Sequence, residues 1–425
     1  MDRENAGERY RTDVIHAKSL EGNPINSPVD REVCVYLPPG YFESDERYPV
    51  IYFLQGYTGN NKRWTVTARL EDNMLIPVSL LPPDVVKDID LDRLPSYAKF
   101  DELITEGELD PFIFVQPDGS LHLPNKYGLK NPTGQPETKG SYYLNSPYTG
   151  NFEDYITKGV IEYVDANYRT IPDKQHRGLI GGSMGGYGAL VIAIHNPDKF
   201  EAVVSLSPAN LTVDVLNLKV AIPIHERLFG REYAEEYGAK LWNDILDTAD
   251  LVCSKDRPLM PTIKRNEKGE IIGWDEEAYN NLYRYNLNHM IRENPEALKQ
   301  VKLLLRVEAS DEFGITDVTR EIHQTLEELG IEHEFEVYSD PKAALSPHII
   351  GISYSVIPAI KFCTQHFPNP KGLAPNHFFT AIRALHFLTL FTLFKGYNLS
   401  TAQAHSETTG PNGVAWPPGA SGLFK

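Results

Sequence analysis

The chain has 425 residues, 41% hydrophobic and 23% charged, which is ordinary for a globular protein with one large core or two domains. A formal net charge of −17 repels nucleic acid and anionic membrane and sets both aside as partners. Cys34, Cys253 and Cys363 are too scattered for a disulfide framework or a zinc site, and the opening MDRENAGERYRTD has no apolar leader, so a cytoplasmic setting is expected.

Residues 1–29 read as an N-terminal extension. Short apolar runs then recur: REVCVYLPPG (31–40), YPVIYFLQG (48–56), PFIFVQPDG (111–119), RGLIGGS (177–183), FEAVVSLSP (200–208) and VKLLLRVEAS (301–310). Continuous apolar runs of this length predict strands covered on both faces. EHEFEVYS (332–339) alternates better and is expected nearer a sheet edge. Between the runs lie helical patterns. One spans 151–168, with Asn151 as its cap and Asp154 completing an imperfect capping box. Another spans 184–197 and stops near Pro197; a third spans 317–330, with Asp317 as N-cap and Gly330 closing it. Strands alternating with helices predict an α/β fold, a mostly parallel sheet with helices on both faces.

Two stretches break the alternation. Residues 57–110 form a long Pro- and Asp-rich connection. Residues 211–300 form an insertion with helical patches and a hairpin-like TIKRNEKGEIIGW (262–274), either a cap over a site or surface elaboration. From 368 onward the chain changes character. HFFTAIRALHFLTLFTLF (377–394) contains Arg383 and His386 and reads as a packed or interfacial helix rather than a membrane span, and the Gly/Pro/Ser-rich tail reads as disordered.

The chemistry concentrates at GLIGGSMGGYGAL (178–190). Gly181-Gly182-Ser183-Met184-Gly185 is a G-x-S-x-G pattern between a strand and a helix, the setting in which a serine on a sharp turn projects its hydroxyl as a nucleophile. Such a serine requires an acid and a histidine, in that order, further along. EASDEFG ends a strand with several carboxylates. Asp311 is the first choice, with Glu308, Glu312 and Asp317 as rivals. His348 lies in a loop after the last strand and before an apolar helix. His323, mid-helix, and His333, mid-strand, are assigned to surface or packing. The oxyanion of an acyl-transfer intermediate needs preplaced donors. The Met184 N–H, at a helix start, and the Tyr57 N–H, after YFLQG, are the candidates.

With these pieces in view, the chain resembles the esterase D-like family of α/β-hydrolases, the group of S-formylglutathione hydrolases, feruloyl esterases, enterochelin-esterase-like enzymes and mycolyltransferase antigens. VYLPPGYFESDERYPVIYFLQGYTGN, the stretch from NSPYTGNFEDY through GGSMGGYGAL to VVSLSP, EASDEFG and SPHIIGISYSVIPAIKFCTQHF carry the resemblance. It implies a three-layer α/β-hydrolase domain over 30–367, with Ser183, Asp311 and His348 as the triad and the Met184 and Tyr57 amides as oxyanion donors. It implies a serine esterase acting on a small or medium acyl or aryl ester, with no metal or organic cofactor. Hydrolysis of an S-formylglutathione-type thioester, acyl transfer to an alcohol, and an inactive binding protein on the same fold are the alternatives. Gln55 stands where many relatives have His, and Ala309-Ser310 replace the start of a Gly-x-x-Asp acid motif. Gln55, Trp64 and Tyr187 are the expected substrate-binding residues, with Tyr142 and Tyr143 as aromatic neighbours.

Overall fold

The computed structural model of the chain describes residues 6–62, 82–130, 138–212, 220–254, 262–267 and 271–368. They all belong to one of two units, Met1–Pro368; the second, Asn369–Lys425, lies outside them, as do Trp64 and the apolar segment 377–394.

Eight strands make one sheet: β1 Tyr10–His16, β2 Asp30–Tyr36, β3 Val50–Leu54, β4 Ile113–Pro117, β5 Arg177–Gly182, β6 Ala202–Leu206, β7 Lys302–Glu308 and β8 Glu334–Tyr338. Their order across the sheet is β1-β2-β4-β3-β5-β6-β7-β8. β1/β2 and β2/β4 are antiparallel, and the remaining neighbours are parallel. β1 arises from the N-terminal extension, where no strand is evident in the sequence; it pairs in register from Tyr10 opposite Tyr36 to His16 opposite Asp30. It gives the apolar β2 a polar, half-exposed outer neighbour, which protects a sheet edge from pairing with other chains. At the other edge, β8 is the expected border strand.

Alternate residues of the central strands enter two separate cores. Val50, Tyr52 and Leu54 pack into one, while Ile51 and Phe53 pack into the other, as the two-residue period of a doubly covered strand demands. The second core is closed by α1, Tyr97–Glu106, through Phe100 and Leu103. The first core is closed by α2 at residues 152–167, a helix with a π-helical turn at Tyr155–Val160, and by α3, Met184–His195. Between β6 and β7 lie α4, Arg231–Cys253, and an antiparallel hairpin of Ile263–Arg265 against Ile271–Trp274. Two more helices complete the layers. α5, Ile315–Glu328, joins the first core through Ile322 and Leu326, and α6, Pro347–His366, joins the second through Ile352, Val356 and Ile360. This is the three-layer α/β-hydrolase architecture. Among the described residues no helix is long and apolar enough to cross a membrane.

Two caps differ from expectation. Asn151 makes no capping bond with its side chain. Asn145 does that work instead: its Oδ1 accepts the Asp154 N–H and its Nδ2 donates to Asp154 Oδ1, both at 3.1 Å. A two-residue antiparallel ladder sets Asn145 opposite Asn151, so the cap comes from across the turn. Asp317 is not an N-cap. α5 starts after Gly314, held at φ 70°, and Asp317 is an exposed residue of the first turn facing Arg320 at 3.4 Å.

Candidate active site

Ser183 occupies the single residue between β5 and α3. Its φ of 57° and ψ of −118° are rarely populated by a non-glycine residue, a strain of about 1–3 kcal/mol that the surrounding structure must hold. The hold is visible. Ser183 N–H donates to Leu206 O at 2.9 Å, and its carbonyl accepts from Tyr187 N–H at 3.0 Å and Ala209 N–H at 3.1 Å. The glycines on either side follow from contact. A Cβ on Gly181 would collide with the Gly185 carbonyl, and a Cβ on Gly185 with the Leu54 carbonyl of β3. The G-x-S-x-G spacing is thus the packing condition of this turn.

His348 sits in the first turn of α6, after Pro347 and the N-cap Ser346. Its Nε2 lies 2.8 Å from Ser183 Oγ and its Nδ1 2.6 Å from Asp311 Oδ2. The Asp311 carboxylate can only accept, so Nδ1 carries the proton and Nε2 presents its lone pair to the serine hydroxyl. Asp311 Oδ1 accepts the Phe313 N–H at 3.0 Å, which fixes the carboxylate plane. The pair is secluded: side-chain exposure is 6% for His348 and 0% for Asp311. Burial lowers the imidazole pKa, but the charges of Asp311 and Glu312 and the bond to Asp311 outweigh it, and the net direction is upward.

Glu312, one of the rivals to Asp311 for the acid, has a different position. It does not reach the imidazole. Its Oε1 accepts the Ser346 hydroxyl at 2.6 Å and its Oε2 the His348 N–H at 2.7 Å, so it ties the loop after β7 to the turn that carries His348. Burial, and then the charge of Asp311, push its carboxyl up to about 7. Only its adjacency to Asp311 signals this in the sequence. Glu308 ends β7, where its carboxylate takes the amides of Asp340 and Ser310, a structural use. His323 and His333 pair with each other, and His333 directly precedes β8 rather than lying within it.

Met184 is the first residue of α3, a position whose N–H has no intrahelical acceptor. Tyr57 follows β3, and its ring, with Met184, walls a cleft of about 100 Å³ over Ser183. The Tyr57 hydroxyl reaches Asp244 Oδ2 at 2.8 Å and Thr248 Oγ1 at 2.7 Å, both on α4. Asp244 Oδ1 pairs with Lys139 Nζ at 2.5 Å, and neither side chain is more than 5% exposed. One stripe of α4 is thereby pinned to the turn after β3. Another stripe, Leu241, Ile245 and Ala249 at i, i+4 and i+8, lines the cleft. Phe313, Ile315 and Val318 line it beside His348. Among the described residues, no Lys, Arg, Asp or Glu lines the cleft.

The other expected substrate contacts separate. Tyr142 lines the cleft. Gln55 does not: its amide is spent on the Pro117 carbonyl at 2.7 Å and the Tyr143 hydroxyl at 2.8 Å, which also removes Tyr143. Tyr187 is buried on α3 with its hydroxyl on the Tyr285 carbonyl at 2.7 Å, away from the cleft. In both cases a buried polar tip had to find a partner, and it found one inside. Trp64 lies outside the described residues.

The Esterase family model matches residues 27–339. An endo-1,4-beta-xylanase/feruloyl esterase of Xylanibacter ruminicola is 28% identical over 198 residues, 45% of this chain and 22% of that protein. The S-formylglutathione hydrolase of Mus musculus is 33% identical over 76 residues, 17% of this chain and 26% of that protein. The chain therefore spans about a quarter of the length of these relatives. Among solved structures, a ferulic acid esterase aligns with TM-score 0.47 and 20% identity over 84% of this chain and 98% of that one. An S-formylglutathione hydrolase of Staphylococcus aureus aligns with TM-score 0.45 and 15% identity over 84% and 98%.

Proposed function

Since the chain belongs to the Esterase family, we propose that it is a serine carboxylic-ester hydrolase in which Ser183 is the nucleophile, His348 the base and Asp311 the orienting carboxylate. The observation that carries this reading is the unbroken relay from Asp311 through His348 to Ser183, opening into an apolar cleft. Ser183 Oγ attacks the ester carbonyl carbon while His348 Nε2 takes its proton. The negative charge on the carbonyl oxygen is met by the Met184 and Tyr57 N–H groups, each donor of this kind being worth about 10²–10³ in turnover. His348 then returns the proton to the leaving alcohol, an acyl-enzyme remains, and water activated by the same imidazole releases the acid. The steps call for no metal and no organic cofactor.

The cleft favours an uncharged acyl or aryl ester, since an apolar wall binds apolar surface and leaves a charged group desolvated. A feruloyl-type aryl ester and a simple aliphatic ester both satisfy that wall. The likeness to the mouse hydrolase supports a second reading, thioester hydrolysis, but the charged ends of glutathione meet no opposite charge among the described lining residues. The test is a set of initial rates on p-nitrophenyl esters from acetate to laurate, methyl ferulate and S-formylglutathione, with Ser183→Ala alongside. Turnover lost in the variant, together with fluorophosphonate labelling of Ser183, is expected. Turnover retained in the variant overturns the mechanism, and a Ser183 inert to the label points to a binding protein instead.

A further inference from the structure

A second cluster of chemistry-bearing side chains lies where α5 hands over to β8. His323 and Glu327 are one helical turn apart on α5 and share a face. The chain leaves the helix through Gly330, at φ 63°, and His333 comes back against the same face just before β8. His323 Nδ1 and His333 Nε2 are 2.8 Å apart. One ring nitrogen of each histidine and a Glu327 carboxylate oxygen lie within 4.8 Å of one another.

The surroundings hold the imidazoles in place. His333 Nδ1 faces the Ile331 carbonyl at 2.8 Å, so that nitrogen carries the proton and Nε2 carries the lone pair. A metal-binding histidine is commonly oriented in this way, its other ring nitrogen donating to a backbone carbonyl. The His323 ring is stacked on Phe335 of β8, with centroids 4.1 Å apart and planes within 18°. Both rings are half-buried and Glu327 is exposed, so a position remains open to water.

We propose that His323, Glu327 and His333 form a binding site for one borderline divalent transition metal, of which Zn²⁺ is the type. Two imidazoles and one carboxylate suit such an ion, whereas Mg²⁺ and Ca²⁺ prefer all-oxygen shells. At a Zn–N distance of about 2.0–2.1 Å and a tetrahedral angle, two ligand nitrogens stand about 3.4 Å apart. The observed 2.8 Å pair therefore opens by about 0.6 Å as the ion replaces the shared proton. That proton moves to His323 Nε2 through solvent, so the change is one of tautomer and releases none. The bound ion bridges the end of α5 to the start of β8. It lies on elements apart from the triad, so its role is to clamp the sheet edge.

The test is calorimetric titration of the full chain with ZnCl₂ at pH 7.5, repeated on His323→Gln, His333→Gln and the double variant, with thermal unfolding of each. One Zn²⁺ per chain is expected, with a raised Tm in the wild type, affinity weakened ten-fold or more in each single variant, and no Tm rise in the double. Co²⁺ in the wild type should give the intense visible bands of a four-coordinate site. The metal-free variants should keep wild-type esterase rates. A double variant that binds Zn²⁺ as the wild type does, or a wild type that does not bind it, overturns the proposal.

Discussion

Replacing Glu312 by Gln should stabilise the protein above neutrality and leave it unchanged in acid. Gln is isosteric here. Its Oε1 can accept the His348 N–H and its Nε2 can donate to the Ser346 hydroxyl, so both loops keep their tie. What changes is the charge. The Glu312 carboxyl titrates at about 7 in the folded chain against an ordinary 4.5, because burial and Asp311 oppose its ionisation. With a raised folded pKa, the folded state still holds the proton after the unfolded state has lost it. The penalty is therefore absent below the ordinary pKa, grows as pH rises between the two values, and is complete above the folded one. The difference between about 7 and 4.5, at 1.36 kcal/mol per pH unit, sets the penalty on the order of 3 kcal/mol. Urea unfolding of wild type and Glu312→Gln at pH 4 and pH 8.5 should show curves that nearly coincide at the lower pH and a clear gain for the variant at the higher. The same substitution removes a negative charge that raises the His348 pKa. The rising limb of kcat/KM should then shift to lower pH, because the base works in its neutral form. A stability difference independent of pH would refute the reasoning.

Ser183→Ala should abolish ester turnover and fluorophosphonate labelling with little change in Tm, since the turn is held by backbone bonds and glycine contacts that Ala keeps. His348→Ala should be as inactive, whereas His323→Ala should retain wild-type kcat/KM in metal-free buffer; the opposite ranking would reassign the base. Asp311→Asn should lose about 10⁴ in kcat through the wrong imidazole tautomer. Glu308→Gln should instead affect stability, as its carboxylate holds two backbone amides of the loops after β7 and β8. Lys139→Met should cost about 3–5 kcal/mol in urea unfolding, because Asp244 is left as a buried charge without its cation.

The parts legible in the sequence are those where one local signal decides. Buried parallel strands announce themselves as unbroken apolar runs, and five of the eight strands lie wholly inside such runs as read from residue 48 onward. The turn at Ser183 is legible because three chain segments crowd it and only glycine fits. His348 follows from chain order and from its nearness to an apolar helix, although it lies in the first turn of that helix and not in the loop before it. What stayed hidden depends on partners far away in the chain. β1 is half-exposed and carries charge at Arg11 and Asp13, so its strand character comes from pairing with β2, not from its own pattern. The cap of α2 belongs to Asn145, across a turn. Gln55 and Tyr187 look like pocket residues by position, but the direction of a side chain is settled by which buried acceptor or donor it meets.

The buried pair of Lys139 and Asp244 constrains how such a chain can diversify. α4 presents Asp244 and Thr248 to Tyr57 and, a quarter turn away, Leu241, Ile245 and Ala249 to the cleft. The helix that walls the cleft is therefore welded to Tyr57, the residue whose N–H the proposed mechanism uses as an oxyanion donor. Grafting a foreign helix there would remove the anion and leave the Lys139 charge buried without its partner beside the cleft. New preferences are reached more safely one lumen-facing side chain at a time, with Lys139, Asp244 and Tyr57 inherited together as a block.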